Sequence, residues 1–420
     1  MKYVTRQIAA LLAGVVCACS APAPPHEAAE PRRGTSDGSL SLREVTLRKA
    51  ALDNGFLPAA ALHAPIEPAR SAVGGQLFES TLLSLNGDMS CQKCHLDRFS
   101  SADGLPNAVG VGGQGEGNER LARGGRIVPR NVLALWGRGG VGFETFFWDG
   151  KVERTEEGIV SQFGEAAPSE DPLVVAAHLP FVEIREMIDD DAMVQAKFEH
   201  EDVDAADELY AVLANRLRKD EALGSALATA YGVSQSEIEF GHAADAIATF
   251  IRDRFRIRET KFHRFVFGIE KLNREEIAGG LIFYGKGQCS ACHSGPYFTD
   301  FSFHTVAFPQ AGFGKNGFGV DYGRYNVTFE PDDLYKFRTP PLYNVSKTAP
   351  YSHSGSVMRL DHAIHYHFDP LRHPSPVSLT QAARIEHFKR LAAAGNDLMV
   401  PQLSDQDVED LVAFLGALSF

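Results

Sequence analysis

The sequence predicts a mainly α-helical protein with two related domains, and three observations support this fold class. A Cys-x-x-Cys-His segment occurs twice, starting at Cys91 and at Cys289, and a Gly-Gly pair followed by an aromatic residue precedes each copy. Each half of the chain also closes with a segment whose apolar residues recur at helical spacing. Period-2 alternation, which is typical of half-buried strands, is scarce. We therefore expect two divergent copies of one helical unit.

Length and composition are those of a folded protein with more than one core. The chain has 420 residues, of which 44% are hydrophobic and 23% are charged, which argues against a disordered, collagen-like or coiled-coil protein. Single cores stop growing beyond about 250–300 residues, so we expect two domains, at residues 46–257 and 258–420. The net charge of −13 argues against a nucleic-acid-binding surface and favours a basic redox partner.

The N-terminus has the pattern of an export signal. Lys2 and Arg6 flank the start of an apolar run over residues 8–16, which is too short to span a bilayer but suits the core of a signal peptide. The Val-Cys-Ala-Cys sequence that follows resembles a bacterial lipobox, in which Cys19 is acylated and becomes the mature N-terminus. Ordinary cleavage nearby is the alternative, and either route exports the protein. We expect a signal peptide at residues 1–19 and a periplasmic lipoprotein anchored to the outer membrane.

Between this signal and the first domain we expect a flexible linker, residues 20–45. Pro, Ala and Gly are abundant in its first part, and no apolar periodicity is present there. Such a segment can hold a folded body away from a membrane surface.

A capped amphipathic helix is predicted at the end of each domain, the first from Ser234 to Arg254 and the second from Ser404 to Leu418. In both segments an acidic residue follows the serine by three positions, a pattern in which hydroxyl and carboxylate satisfy the free backbone N–H groups of the first turn. The apolar faces consist of Ala243, Ile247, Phe250 and Ile251 in the first helix and Val408, Leu411, Leu415 and Leu418 in the second. We expect each helix to pack on the motif near the start of its domain.

The two Cys-x-x-Cys-His segments predict covalently bound haem. Two cysteines on one turn can form thioethers with the vinyl groups of a haem, and the histidine that follows can supply the proximal nitrogen to the iron. A zinc site would need four ligands, and a dithiol redox pair is the other alternative. The residues concerned are Cys91, Cys94 and His95 in the first copy and Cys289, Cys292 and His293 in the second. The predicted fold class is therefore mainly α, with two cytochrome c-like domains that each hold one c-type haem.

Further motifs resemble those of the bacterial di-haem cytochrome c peroxidases and their MauG-type relatives, over roughly residues 70 to 420. They are the segment 77–95, Pro129-Arg-Asn131, Phe147-Trp-Asp-Gly150, Phe337-Arg-Thr-Pro-Pro-Leu342 and Thr348-Ala-Pro-Tyr-Ser-His-Ser-Gly355. The resemblance implies an oxidoreductase that reacts with hydrogen peroxide at the N-terminal haem and passes electrons through the C-terminal haem.

The axial ligands distinguish the two predicted haems. In many members of this family a histidine between the first haem motif and the Trp-Asp-Gly segment blocks the first iron, but residues 96–147 contain neither His nor Met. With the resemblance, this absence implies a five-coordinate first haem that is ready for peroxide, as in the MauG branch. His178 folding back onto the iron is the alternative.

The distal ligand of the second haem is expected in the helix after the Pro-Tyr-x-His-x-Gly turn. By resemblance, counting from Pro350 leads to His367. A slip in that count would select Tyr366, the MauG arrangement, or His365. An iron held by two histidines cannot bind peroxide without losing a ligand.

A carboxylate beside the first iron is expected to move the protons of peroxide. Peroxide cleavage needs a group that removes a proton from one oxygen and returns it to the departing one. Glu186, with Pro180 before it, resembles the distal pocket of the family. Glu165 and Glu183 are the alternatives.

Two further features are implied by the resemblance. Trp148 matches the tryptophan between the haems, where it could relay an electron or simply fill the core. The side chain of Asn131 and the carbonyl groups of Thr348 and Pro350 match calcium ligands, although Asn131 could instead cap a turn. His353 is expected near the second haem, either on a propionate or as a packed residue.

The sequence leaves the electron donor open. A small cytochrome or a cupredoxin would serve a peroxidase that destroys hydrogen peroxide, whereas a MauG-like enzyme would oxidise a residue on a partner protein. The absence of a histidine that would block the first iron slightly favours the MauG-like version. A non-enzymatic di-haem electron carrier is the alternative function, and it predicts two six-coordinate haems.

Overall fold

Helices dominate the parts of the chain that the computed structural model describes, namely residues 40–189, 203–373, 380–397 and 403–420. From Ser41 to Phe420 these parts belong to one compact unit. The predicted signal peptide, with Cys19, and most of the predicted linker lie outside the described residues. The boundary expected between residues 257 and 258 stays a prediction.

Most of the helices are short, and extended or irregular segments join them. They are α1 (Leu42–Asp53), α2 (Pro68–Glu79), α3 (Asn118–Ala122), α4 (Pro172–His178), α5 (Val203–Lys219), α6 (Glu221–Tyr231), α7 (Phe240–Arg254), α8 (Lys261–Phe267), α9 (Arg274–Tyr284), α10 (Tyr325–Thr328), α11 (Leu360–His365), α12 (Gln381–Asp397) and α13 (Asp405–Gly416). Helix α1 begins inside the segment predicted as linker, with Ser41 as its N-cap.

The strands are short and antiparallel. In the described residues, β1 (Ala108–Val109) pairs with β2 (Ile127–Val128), and β3 (Thr145–Phe146), β4 (Val152–Thr155) and β5 (Gly158–Ser161) form a three-stranded sheet. In the second half, β6 (Phe303–His304) pairs with β9 (Phe337–Arg338), and β7 (Phe313–Gly314) pairs with β8 (Gly317–Phe318).

The internal repeat is present as two equivalent helix crossings. In the first half α2 packs against α7, and a Cβ on Gly74 would lie 1.9 Å from the carbonyl oxygen of Ala246. In the second half α9 packs against α13, and a Cβ on Gly279 would lie 1.9 Å from the carbonyl oxygen of Asp410. Glycine is required at both crossings because any side chain would push the two backbones apart. The expectation that each closing helix packs near the start of its own unit is confirmed.

The predicted caps form, but one helix begins later than expected. Ser404 and Asp407 make a reciprocal capping box, and α13 begins at the next residue, Asp405. The prediction that a helix runs from Ser234 is wrong. Ser234 and Glu237 do cap each other, but they close a single 3-10 turn, and α7 starts at Phe240. The intervening Ile238 is extended and completely buried, so packing ends the turn there.

One hydrophobic core runs through both halves of the described chain. Phe56 from the segment after α1 packs against Phe262 and Phe298, and Phe262 in turn packs against Phe414 on α13. Among the described residues, no helix combines the length and the apolar character that crossing a bilayer requires.

Candidate functional site

The first Cys-x-x-Cys-His segment lines a cavity of about 480 Å³. Cys91 opens a 3-10 turn, and the backbone N–H of His95 donates to the carbonyl oxygen of Cys91 at 3.0 Å, so that Cys91, Cys94 and His95 share one compact turn. All three side chains reach the cavity. Phe78 on α2 and Ile247 and Ile251 on α7 form part of its apolar wall, so the α2–α7 crossing positions the turn.

His95 is oriented as an iron ligand requires. Its Nδ1 donates to the carbonyl oxygen of Ser101 at 2.8 Å, which leaves Nε2 with its lone pair. Burial lowers the pKa of His95 to about 4, so the ring is neutral at neutral pH. A neutral imidazole with a backbone partner on Nδ1 is the usual state of a metal-ligating histidine.

The wall of this cavity carries two carboxylates with opposite electrostatic surroundings. Burial, reinforced by the charge of Glu183, raises the pKa of Glu186 to about 7. Burial also opposes ionisation of Glu183, but this carboxylate forms ion pairs with Lys151 and with Lys315, whose Nζ lies 3.6 Å from Oε1 of Glu183. The two ion pairs outweigh the effect of burial and hold the pKa of Glu183 well below its usual range. Glu186 can therefore gain and lose a proton near neutral pH, whereas Glu183 stays ionised.

A glycine holds the backbone of Glu186 at the cavity. The backbone N–H of Val111 donates to the carbonyl oxygen of Arg185 at 3.0 Å. A Cβ on Gly110 would lie 1.6 Å from that same oxygen and 2.9 Å from the Cα of Glu186. Only glycine fits this close approach of two backbones.

The remaining predicted residues of this pocket divide into two groups. Pro180 lines the cavity with Glu186. His178 does not: its ring is buried against Tyr210 and Phe240, and its Nδ1 donates to a backbone carbonyl group of its own helix at 2.8 Å. The side chain of Glu165 lies outside the described residues.

The second Cys-x-x-Cys-His segment lines a separate cavity of about 260 Å³ that is also mainly apolar. His293 Nδ1 donates to the carbonyl oxygen of Phe298 at 2.9 Å, as His95 does in the first copy. His367 enters from the opposite side, and its Nδ1 donates to the carbonyl oxygen of Ala363 at 2.8 Å. The centroids of the His293 and His367 rings are 6.4 Å apart. A haem iron in this cavity would be held by both histidines.

The two alternatives for the distal position point elsewhere. Tyr366 packs on Phe308 in a small separate cluster, and its hydroxyl group donates to the carbonyl oxygen of His373 at 3.4 Å. His365 Nδ1 lies 3.0 Å from Nε2 of His373. Neither Tyr366 nor His365 lines the second cavity. Of the three candidates, only His367 is turned toward His293.

Both cavities fit a covalently attached c-type haem by the chemistry of their donors. Each contains two free cysteines on one turn and a neutral imidazole with an available Nε2. Their surroundings are mainly hydrophobic, as a porphyrin requires. His353 also lines the second cavity, where its ring stacks on Phe337 at 3.8 Å and its Nε2 lies 2.8 Å from Oε1 of Gln310.

Trp148 belongs to the wall that separates the cavities. It lines both of them, and its indole N–H donates to the carbonyl oxygen of Asn131 at 2.9 Å. Arg130 fixes the same wall: it forms an ion pair with Asp149 at 2.5 Å and a bidentate pair with Asp321 at 2.9 Å. This buried network joins the Pro-Arg-Asn and Phe-Trp-Asp-Gly motifs to the second half of the chain.

The three predicted calcium ligands line the second cavity, but two of them contact each other directly. The side-chain nitrogen of Asn131 donates to the carbonyl oxygen of Pro350 at 2.7 Å. A rotation of the amide group would place its oxygen beside that carbonyl group, and an oxygen-rich set of this kind suits calcium. The hydroxyl group of Thr348 donates to the carbonyl oxygen of Val345 at 3.2 Å.

Several residues at the cavities were not predicted from the sequence. Lys315 reaches the first cavity from the turn between β7 and β8, in the opposite half of the chain. Lys151 and Arg138 also line the first cavity, and Arg338 lines the second. Arg338 lies within the motif at residues 337–342 and Lys151 directly follows the motif at residues 147–150, so their nearness to these motifs was the available signal. Lys315 and Arg138 have no local signal.

Comparisons with known proteins agree with this geometry. Residues 68–271 match a family model described as di-haem cytochrome c peroxidase. The chain is 25% identical over 356 residues to the methylamine utilization protein MauG of Methylorubrum extorquens, covering 84% of this chain and 79% of the relative. It is 27% identical over 364 residues to the cytochrome c551 peroxidase of Pseudomonas aeruginosa, covering 84% and 80%. The diheme peroxidase BthA from Burkholderia thailandensis has a similar fold, with a TM-score of 0.61, 20% identity and coverage of 87% and 89%.

Proposed function

Because the chain belongs to the family of di-haem cytochrome c peroxidases and MauG proteins, we propose that it is an exported peroxidase that accepts hydrogen peroxide in the cavity of His95. The family implies an oxidoreductase with two c-type haems. When bound, the haem at His95 supplies a peroxide-activating iron, and the haem at His293 supplies a centre that stores an electron.

Glu186 carries this proposal. Its carboxyl group lines the same cavity as His95, and its pKa of about 7 lets it take a proton from peroxide and return it to the departing oxygen. Pro180 lines the same cavity as Glu186. Lys151 and Lys315 hold Glu183 ionised beside it, and that negative charge helps keep the pKa of Glu186 near neutral.

The residues of the second cavity are suited to electron transfer. His293 and His367 would both hold the iron of a haem in this cavity, and an iron held by two histidines would serve electron transfer rather than peroxide binding. Trp148 touches both cavities, and its indole ring is the aromatic group placed to exchange an electron between them. Asn131, with the carbonyl oxygens of Thr348 and Pro350, would hold one calcium ion at the same wall.

Two kinds of reductant suit this arrangement. The acidic chain favours a basic donor such as a small cytochrome c or a cupredoxin. The lack of His and Met in residues 96–147 favours a different source of electrons, a residue of a partner protein that the enzyme oxidises, as MauG-type enzymes do. Residues 1–19 would direct export to the periplasm, with Cys19 acylated as an outer-membrane anchor.

Electron paramagnetic resonance of the fully oxidised holoprotein tests this function. Spectra are recorded before and after one equivalent of hydrogen peroxide, without added reductant. We expect one high-spin and one low-spin ferric signal, both lost on addition of peroxide. Two low-spin signals that do not respond to peroxide would contradict an open first haem, and the protein would then be a reductively activated peroxidase or an electron carrier.

A further inference from the structure

Two buried arginines, one at each cavity, have no role in the proposed peroxide reaction. Arg138 lines the first cavity and Arg338 lines the second. Their guanidinium carbons lie 5.8 Å and 5.9 Å from the centroid of one ring, that of Phe143. The two cations therefore share a single aromatic neighbour.

Neither guanidinium group pairs with a carboxylate among the described residues. Arg138 is 7% exposed, and its Nε donates to the carbonyl oxygen of Ala134 at 3.1 Å. Arg338 is 0% exposed; its Nε donates to the carbonyl oxygen of Phe147 at 2.9 Å and its Nη1 to its neighbour Thr339 at 3.2 Å. Nη2 of Arg338 is buried without a hydrogen-bond partner.

The charge of this pair is not balanced by protein groups. Asp149 is close enough to stabilise the charged form of Arg338, but Arg130 already binds that carboxylate at 2.5 Å. Burial lowers the pKa of Arg138 to about 10, and burial together with the charge of Arg138 lowers the pKa of Arg338 to about 9. Both groups are still protonated at neutral pH, so a buried excess of positive charge is left for an anion to neutralise.

We propose that Arg138 and Arg338 bind carboxylate groups of the two haems, Arg138 those of the haem in the first cavity and Arg338 those of the haem in the second. Each haem carries two propionate carboxylates, and the planar guanidinium fork matches a carboxylate. Arg138 lines the cavity where the first haem fits, and Arg338, whose Nη2 has no hydrogen-bond partner, lines the cavity where the second fits. Each cation also favours the reduced iron, which carries one positive charge fewer, and therefore raises the midpoint potential of its haem.

Arg338 additionally holds the shared wall. Its backbone N–H donates to the carbonyl oxygen of Trp148 at 2.8 Å, and its side chain donates to Phe147. Substitution of Arg338 could therefore also act by moving Trp148. A variant that keeps the charge separates these two effects.

The test measures the midpoint potentials of both haems in the holoprotein by potentiometric titration, without peroxide. The inference rests on the two haems but not on peroxide turnover, so it can fail while the proposed function survives, and the reverse. We expect Arg338→Gln to lower the midpoint potential of the second haem by at least about 59 mV. For one electron, this shift corresponds to a tenfold change in the ratio of reduced to oxidised haem at a given potential. Arg338→Lys should restore most of the shift, and Arg138→Gln should lower the potential of the first haem.

Arg324→Gln is the matched control. Arg324 is also a largely buried arginine, but it pairs with Glu153 at 2.8 Å and lines neither cavity. Its loss should leave both potentials unchanged. Potentials of the Arg338→Gln and Arg138→Gln variants that equal those of this control would overturn the inference.

A second readout identifies the anion. Redox-difference infrared spectra of protein carrying haem labelled with ¹³C at the propionate carboxyl carbons should show labelled bands that shift in Arg338→Gln and return in Arg338→Lys. Unshifted bands, together with potentials that follow the chloride concentration, would show that a free anion occupies the arginines and would overturn the assignment to the haem carboxylates.

Discussion

Replacing Glu186 by glutamine is the sharpest test of the first cavity, because the pH profile of the wild-type protein can be worked out beforehand. With a pKa of about 7, about one-eleventh of the Glu186 carboxyl groups are ionised at pH 6 and about ten-elevenths at pH 8. The ionised form is the one that accepts a proton. The rate of reaction with peroxide should therefore rise about tenfold between these two pH values.

Glutamine keeps the shape of the side chain but cannot accept that proton. We expect Glu186→Gln to lower the peroxide rate constant by about 10²–10⁴-fold and to abolish its dependence on pH near 7. The assay mixes fully oxidised holoprotein with excess peroxide in a stopped-flow instrument and follows the haem absorbance at each pH.

Glu183→Gln gives a result of a different kind. The negative charge of Glu183 raises the pKa of Glu186, and Lys151 and Lys315 lower it. Removing that negative charge leaves both cations unopposed, so the pKa of Glu186 should fall and the profile should move to lower pH without loss of the maximal rate. Glu153→Gln, which removes a carboxylate that lines neither cavity, should leave the profile unchanged.

Two outcomes would refute this reasoning. A wild-type rate and profile in Glu186→Gln would show that this carboxylate does not move the proton. Loss of the rate in Glu183→Gln, with Glu186→Gln unaffected, would assign the role to Glu183 instead.

Three further predictions concern the helix crossing, the second haem and the calcium site. Gly279→Ala places a Cβ 1.9 Å from a carbonyl oxygen of α13 and should lower the free energy of unfolding by about 1–3 kcal/mol in denaturant titrations, whereas Gly241→Ala, with no atom within 4 Å, should not. His367→Ala should convert the low-spin electron paramagnetic resonance signal of the second haem to high-spin, and His365→Ala should leave it low-spin. Removal of calcium with a chelator should lower the thermal unfolding midpoint, and Asn131→Ala should remove that response.

Features that depend on neighbours in sequence were predicted well. The Cys-x-x-Cys-His turns and the capping box of Ser404 are specified within a few residues, because the groups that interact are joined by a short stretch of backbone. The Gly-Gly pairs indicated the internal repeat, but the helix crossings that require them, against Ala246 and Asp410, became visible only in the tertiary structure. The same local logic misplaced the start of α7, because a capping box does not say how many turns follow it, and burial of Ile238 ended the first one.

The resemblance named the haem-binding residues of the two cavities and favoured Glu186 and His367, but it left Glu183 and the neighbours of His367 as alternatives. The first choice depends on Lys315, which reaches Glu183 from the other half of the chain. The second depends on the rotational phase of a few residues after α11, where a shift of one position turns a side chain to another face.

The sequence by itself determined the chemistry of attachment and the identity of the repeated unit, because thioether formation, imidazole ligation and helix caps need only residues close together in the chain. Only the tertiary structure decided the electrostatics. The pKa of Glu186, the wall built on Trp148 and the guanidinium groups of Arg138 and Arg338, which pair with no described carboxylate, all arise where segments remote in sequence are brought together. Charge interactions depend on distance and burial, and neither quantity is encoded in the spacing of residues along the chain.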